Sequence, residues 1–119
     1  IGVKMSYIDV KSAKSFDVEI SDIASDKSIS HRCAIFSLLS DKPSTITNFL
    51  KAEDTLNTLE IVKLLGAEVI EDANKIIIKP PLEIKEPPVI LYCGNSGTAM
   101  RLFMGFLASR DGFFVLHGD

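Results

Sequence analysis

A gapless internal repeat constrains this chain more than any other feature. Residues 26–48 align with residues 95–117, so that Asp26 faces Asn95, Lys27 faces Ser96, Ser28 faces Gly97 and Arg32 faces Arg101. Behind the arginines, Ile35 faces Met104, Leu38 faces Leu107, Ser40 faces Ser109 and Ile46 faces Val115. Each copy reads as a polar loop, a small residue, an arginine in the first or second helical turn, a long apolar helix, a break and a strand. One supersecondary unit is therefore used twice. The spacing is too long for a short-repeat solenoid and suits a barrel or a layered domain.

The first copy opens on Asp26-Lys27-Ser28-Ile29-Ser30-His31-Arg32, followed by an almost uncharged run. Asp26 or Ser28 can cap the helix by accepting hydrogen bonds from its free amides. Those amides and the helix dipole attract phosphate and carboxylate groups. Ser28 and Arg32 are one turn apart on the same face. Lys27 is a compact point charge, and Arg32 offers a planar fork suited to an oxyanion. Taken singly, the same residues read as a capped helix with a solvated lysine and a surface arginine. Repetition of the pattern favours an anion-seeking helix start.

Composition bounds the function classes. At 119 residues, with 46% hydrophobic and 24% charged residues, the chain can bury a core as one domain or part of a larger one. A net charge of −3 argues against a nucleic-acid surface, and no basic tract interleaved with aromatics occurs. No apolar run reaches bilayer length and no signal-peptide core is evident, so the expectation is a cytoplasmic protein without a membrane partner. Cys33 and Cys93 are read as small core residues, and no His/Cys spacing suggests a metal. His31 and His117 are single, with structural or solvent roles expected.

Along the chain, Met5 is a candidate start, with residues 1–4 ahead of it as a remnant. Residues 7–10 and 16–20 alternate apolar and polar side chains, predicting strands. A helix is expected over 27–40, closed by Pro43, then a strand over 45–49. Glu53 and Asp54 open a second helix with a stripe of Leu56, Leu59, Val62 and Leu65, and Gly66 follows at the position that takes a positive φ. A hairpin is expected over 67–70 and 75–79, and another strand over 89–93. Gly94-Asn95-Ser96-Gly97-Thr98 then leads into a helix over 99–109 that is apolar on nearly every side and therefore expected to be fully buried, before a strand over 113–116. Thr98 reads as support for that loop, and Gly97 as a point of close approach. The unit order is β-α-β-α-β-β over about 15–80. A second unit starts over about 88–119 and stops after its first β-α-β, which predicts a piece of a longer protein.

Asp26-Lys27-Ser28-Ile29-Ser30-His31-Arg32 and Gly94-Asn95-Ser96-Gly97-Thr98-Ala99-Met100-Arg101 resemble the two N-terminal signatures of the 5-enolpyruvylshikimate-3-phosphate synthase family. Glu53-Asp54-Thr55 and Leu64-Leu65-Gly66-Ala67 fit the pattern between them. The likeness runs from Phe16 onward and covers about the first quarter of a family member. It implies an α/β fold of repeated β-α-β-α-β-β units, the inside-out barrel of enolpyruvyl transferases, here incomplete, with residues 1–119 in the N-terminal region of a two-domain enzyme. It implies transfer of enolpyruvyl from phosphoenolpyruvate to the 5-hydroxyl of shikimate 3-phosphate, without metal or organic cofactor, by a monomer when complete. Residue by residue, Lys27 matches the lysine between both substrates, Ser28 and Arg32 match residues that hold shikimate 3-phosphate, and Asn95 and Gly97 match the phosphoenolpyruvate loop. Arg101 matches a position that either assists an anion or pairs with a buried acid.

The family's acid/base pair and further arginines lie in later segments, so no catalytic residue is assigned within 1–119 and the isolated chain is expected to be inactive. Ser25-Asp26 departs from the Gly-Ser or Pro-Ser usual before the lysine. That acid either weakens anion binding slightly or caps the helix. Two rival readings stand beside this one: the related transferase acting on a uridine-diphosphate sugar, whose first motif has Lys-Asn, and a non-catalytic α/β binding module.

Overall fold

The computed structural model describes residues 2–119; Ile1, in the stretch ahead of Met5, lies outside the described residues. Helix α1 spans Lys27–Phe36 and continues as a 3-10 turn over Ser37–Leu39. Of the two possible caps, Asp26 is the one used: its Oδ1 accepts the Ile29 N–H at 2.7 Å. Strand β1 (Ser44–Thr47) follows, then α2 (Glu53–Leu64), β2 (Glu68–Asp72) and β3 (Lys75–Lys79). Beyond the proline-rich connection come β4 (Leu91–Tyr92), α3 (Gly97–Leu107) and β5 (Leu116–His117).

Helix α2 starts at Ala52, which has no side-chain acceptor. Thr55 takes over: its hydroxyl accepts the Ala52 N–H at 3.0 Å and donates to the Leu50 carbonyl at 2.5 Å. Buried Ser30 ties α1 to the same stretch, donating to the Asp26 carbonyl and accepting the Leu50 N–H at 2.9 Å. At its other end α2 closes on Gly66, whose φ of +109° suits the glycine expected there.

The hairpin β2–β3 is antiparallel, and β1 pairs with the other edge of β3, giving the order β1-β3-β2. Ile76 and Ile78 of β3 point inward, and both are fully buried. They meet Ala34 and Ile35 of α1 and Leu59, Ile61 and Val62 of α2 in one core, with Phe103 and Leu107 of α3 completing it. Strands β4 and β5 pair in parallel around α3, as a β-α-β unit must. The result is mixed α/β with no closed barrel, in agreement with the incomplete arrangement expected. Among the described residues, no helix is long and apolar enough to cross a membrane.

The repeat survives in the packing but not in the caps. Inward residues Ser30, Ala34 and Leu38 correspond to Ala99, Phe103 and Leu107, as the gapless alignment requires. The caps, Asp26 and Ser96, are one residue out of step with it.

Two expectations are corrected. Residues 7–10 and 16–20 are not strands, and their apolar side chains are exposed, Tyr7 at 88% and Phe16 at 79%. Alternation marks a strand only if a neighbour supplies the ladder, and no described strand lies alongside; the leading strand of the first unit is therefore missing. The segment is tied to the fold by Asn48, whose Nδ2 donates to the Ile23 carbonyl at 3.0 Å. Helix α3 is not buried all round either. Ala99, Phe103 and Leu107 face the core, while Met104 is 58% exposed, because the described elements cover one side only.

Gly66 provides the clearest test of this packing. A Cβ there would stand 3.2 Å from Lys85 Cδ and Pro81 Cβ, on a backbone that L side chains avoid. Gly66→Ala is expected to lower stability by about 1–3 kcal/mol in urea unfolding; an unchanged midpoint would contradict the αL closure of α2.

Candidate functional site

The starts of α1, α2 and α3 converge, and Asp54 in the first turn of α2 joins the other two. Its carboxylate pairs with Lys27 Nζ and also accepts the Asn95 N–H at 3.1 Å through Oδ1. Lys27 and Asn95, drawn from separate copies of the repeat, thus share one counter-charge. The lysine ammonium, with the Asn95 amide adding to it, holds the Asp54 carboxyl below its ordinary range.

Ser28, Arg32, Asn95 and Gly97 are exposed, as is Lys27. Arg32 folds back along α1, its Nη1 donating to the main-chain carbonyl of Ser28 at 3.0 Å. In α3, Ser96 Oγ accepts the Ala99 N–H at 3.1 Å as cap. Gly97 is approached by Arg101, whose Nη1 lies 2.7 Å from where a Cβ would stand. Arg101 itself is exposed and makes no ion pair among the described residues. Thr98 is half-buried at the same helix start.

Below this surface lies a polar layer that the motifs did not single out. His31, fully buried, bonds Thr58 Oγ1 through Nδ1 at 2.7 Å and Ser96 Oγ through Nε2 at 3.2 Å. Thr58 also donates to the Asp54 carbonyl at 3.3 Å. The arrangement using every proton has Nδ1–H donating to Thr58 and Nε2 accepting from the Ser96 hydroxyl, which in turn accepts Ala99 N–H. Burial, with Lys27 and then Arg32 nearby, pushes the His31 pKa down, and Asp54 offsets this only in part. The imidazole is therefore neutral near pH 7. Gly94, with φ of +61°, passes so close to Asp54 and Asn57 that a Cβ would stand 2.7 Å from each.

Cys93 is buried in the core as expected, and burial raises its thiol pKa, whereas Cys33 is only half-buried. His117 is exposed and rests against the Tyr92 ring with centroids 4.9 Å apart. Asp54 and Ser96 lay inside the motifs without a role assigned to them, Asp54 being read only as a first-turn acid, and Thr58, in the interior of α2, was not singled out. The signal was available: a histidine four residues after the lysine lies one turn into the buried face of α1.

The sign of the His31 shift has a measurable consequence. The unfolded chain binds a proton at His31 near the ordinary value of 6.5, while the folded chain resists it until lower pH. Stability contributed by His31 is therefore present above pH 6.5 and lost as pH falls below it, ahead of the Asp54 contribution, which is lost below 3.8. Urea midpoints at pH 7.5 and 5.5 should differ for the native chain and differ less for His31→Gln; equal differences in both would refute the buried neutral imidazole.

With this geometry in place, comparison with known proteins is specific. Residues 10–119 match the family model of EPSP synthase (3-phosphoshikimate 1-carboxyvinyltransferase). The chain is 69% identical over 115 residues to the 3-phosphoshikimate 1-carboxyvinyltransferase of Nitratiruptor sp., covering 97% of this chain and 27% of that protein. It is 69% identical over 106 residues to the Campylobacter concisus protein of the same name, covering 89% and 25%. Among solved structures, EPSP synthase from Acinetobacter baumannii superposes with a TM-score of 0.74 at 34% identity, over 82% of this chain and 23% of that one. The chain spans about a quarter of the length of these relatives, with both helix starts inside the matched region. It belongs to the EPSP synthase family.

Proposed function

We propose that this chain supplies part of the substrate sites of a 3-phosphoshikimate 1-carboxyvinyltransferase. The enzyme would transfer enolpyruvyl from phosphoenolpyruvate to the 5-hydroxyl of shikimate 3-phosphate and release phosphate. The carrying observation is that Asp54 binds both Lys27 and the Asn95 amide, bringing the two anion-seeking helix starts of the repeat to one place. On this reading Lys27 stands between the substrates, Ser28 and Arg32 hold shikimate 3-phosphate, and Asn95 and Gly97 form the phosphoenolpyruvate loop. Both substrates are polyanions, so setting them face to face needs cations and amides already in position. Residues of about 15–80 act as the first repeat unit and about 88–119 as the start of the second, in the N-terminal region of a cytoplasmic, monomeric enzyme. Groups outside 1–119 complete the chemistry. Lys27-Ser28 disfavours the uridine-diphosphate-sugar enzyme, whose motif has Lys-Asn.

The remaining rival is a non-catalytic module in which Lys27 serves only its ion pair. The Lys27 side chain is 47% exposed, so the pair contributes at most about 1 kcal/mol to stability. Lys27→Met should therefore leave the urea midpoint nearly unchanged. In an amide NMR titration with shikimate 3-phosphate, it should abolish shifts that the native chain shows at residues 27, 28 and 32. A large stability loss with binding intact would favour the structural role.

At Gly97 no positive φ is required, and a methyl group would displace only the mobile end of Arg101. Gly97→Ala should fold normally. In the full-length enzyme it should also relieve inhibition by glyphosate, an analogue that competes at the phosphoenolpyruvate site in this family. Unchanged inhibition would remove Gly97 from that pocket.

A further inference from the structure

His31 is not one of the residues assigned to either anion, yet it is the buried group that touches both the α2 and the α3 sides of the site. Its two ring nitrogens reach Thr58 and Ser96 on opposite sides, at 2.7 and 3.2 Å. Ser96 is the cap of α3 and sits between Asn95 and Gly97. Lys27 lies one turn before His31 on α1. We propose that His31 is a positioning residue, locking the start of α3 against the start of α1 so that the Asn95–Gly97 loop stays in register with Lys27. The proposal rests on the anion-site reading above and gives that site an internal support.

A side chain serving only to fill the core would have no need of two polar ends. Here each end meets a hydroxyl that already has a second partner: Thr58 the Asp54 carbonyl, and Ser96 the Ala99 amide. An apolar replacement would strand both hydroxyls in the interior, where unsatisfied polar groups are costly. The neutral ring has the one donor and one acceptor that the two hydroxyls need. Protonation converts Nε2 into a donor. Ser96 Oγ would then have to accept from both Nε2–H and Ala99 N–H and would lose its own donation. The new charge would sit beside Lys27 and Arg32 on α1, with Asp54 of α2 as the compensating acid. From α3 it would meet Ser96 rather than a carboxylate, the charged group of that helix start being the cation Arg101. Acid therefore acts against the α3 contact in particular.

The test uses ligand-free amide and imidazole NMR of the intact chain, and binding of phosphoenolpyruvate or shikimate 3-phosphate by the full-length enzyme carrying the same substitutions. Ligand-free, imidazole nitrogen shifts should show the proton on Nδ1. Between pH 8 and pH 4.5 the amides of residues 95–99 should move with the midpoint of His31 itself. Two variants divide the relay. In His31→Gln the amide reaches the Nε2 position and keeps the Ser96 contact; in His31→Asn it reaches the Nδ1 position and keeps Thr58. Both should retain a dispersed spectrum. His31→Asn should weaken phosphoenolpyruvate binding about tenfold, as loss of a buried hydrogen bond does, while shikimate 3-phosphate binding stays near native. His31→Gln should restore phosphoenolpyruvate binding. The lock is overturned if His31 titrates without moving residues 95–99, or if His31→Asn leaves those amides unchanged. Absence of binding of either substrate by the native full-length enzyme would instead count against the anion-site reading, with the ligand-free titration still deciding the role of His31.

Discussion

Three helix starts carrying partial positive charge approach one another in this chain, with Lys27 among them and the Asp54 carboxylate bonded to both neighbouring starts. Left to themselves, converging dipole ends repel. Asp54 turns the convergence into a contact by taking the Lys27 ammonium on one oxygen and the Asn95 amide on the other. Its position in the first turn of α2 is also where that helix's own dipole favours an acid. One residue thus satisfies three electrostatic demands, and the relation between the copies of the repeat depends on it. The contact is not what holds the fold together. Burial of Leu59, Ile61, Ile76, Ile78 and Phe103 contributes about 1.5–3 kcal/mol each, several times the worth of a half-exposed ion pair. Hydrophobic packing brings the helices near each other, and Asp54 decides how their ends meet.

The site is built in two tiers. Lys27, Ser28, Arg32, Asn95 and Gly97 are exposed and offer charge, hydroxyl and amide to solvent. His31, Thr55, Thr58 and Ser96 are buried directly beneath and have their hydrogen bonds inside the protein. Exposed cations on flexible stems gain little from one another. What the buried tier fixes is the backbone from which they project, while the rotamer freedom of the long side chains themselves is unaffected. The tier's hydrogen bonds run between α1, α2 and α3 and so set the helix starts relative to one another.

Much of this was legible from residues alone, wherever the causes are local. The Asp26 cap, the acids opening α2, the αL closure at Gly66 and the β2–β3 hairpin follow from side chains acting on their own backbone, and all appear where the sequence places them. What failed was non-local. Alternation in 7–10 and 16–20 describes a strand that finds no partner among the described residues, and the apolar girdle of α3 cannot say which elements cover it. The site divided the same way. Its exposed residues were readable as motifs, whereas Asp54, Thr58 and Ser96 acquire their roles only when residues separated by one helix or by the whole first unit come together.

The two glycines flanking Asn95 show how finely the loop separates structure from recognition. Gly94 is required by the fold: its φ is in the left-handed region, and a side chain would collide with Asp54, the residue that joins the helix starts. Substitution there would disturb the junction itself. Gly97, three residues later, occupies ordinary helical backbone and has only the movable Arg101 guanidinium against it. Alanine is intrinsically the better helix former at such a position, by about 1 kcal/mol in a helix interior and less at a first turn. A glycine held where alanine would fit the backbone makes sense if the space over it matters more than helix stability. Arg101, itself exposed, fills that space with the end of its side chain. The contrast between Gly94 and Gly97 thus separates a glycine that the junction requires from one that the backbone does not.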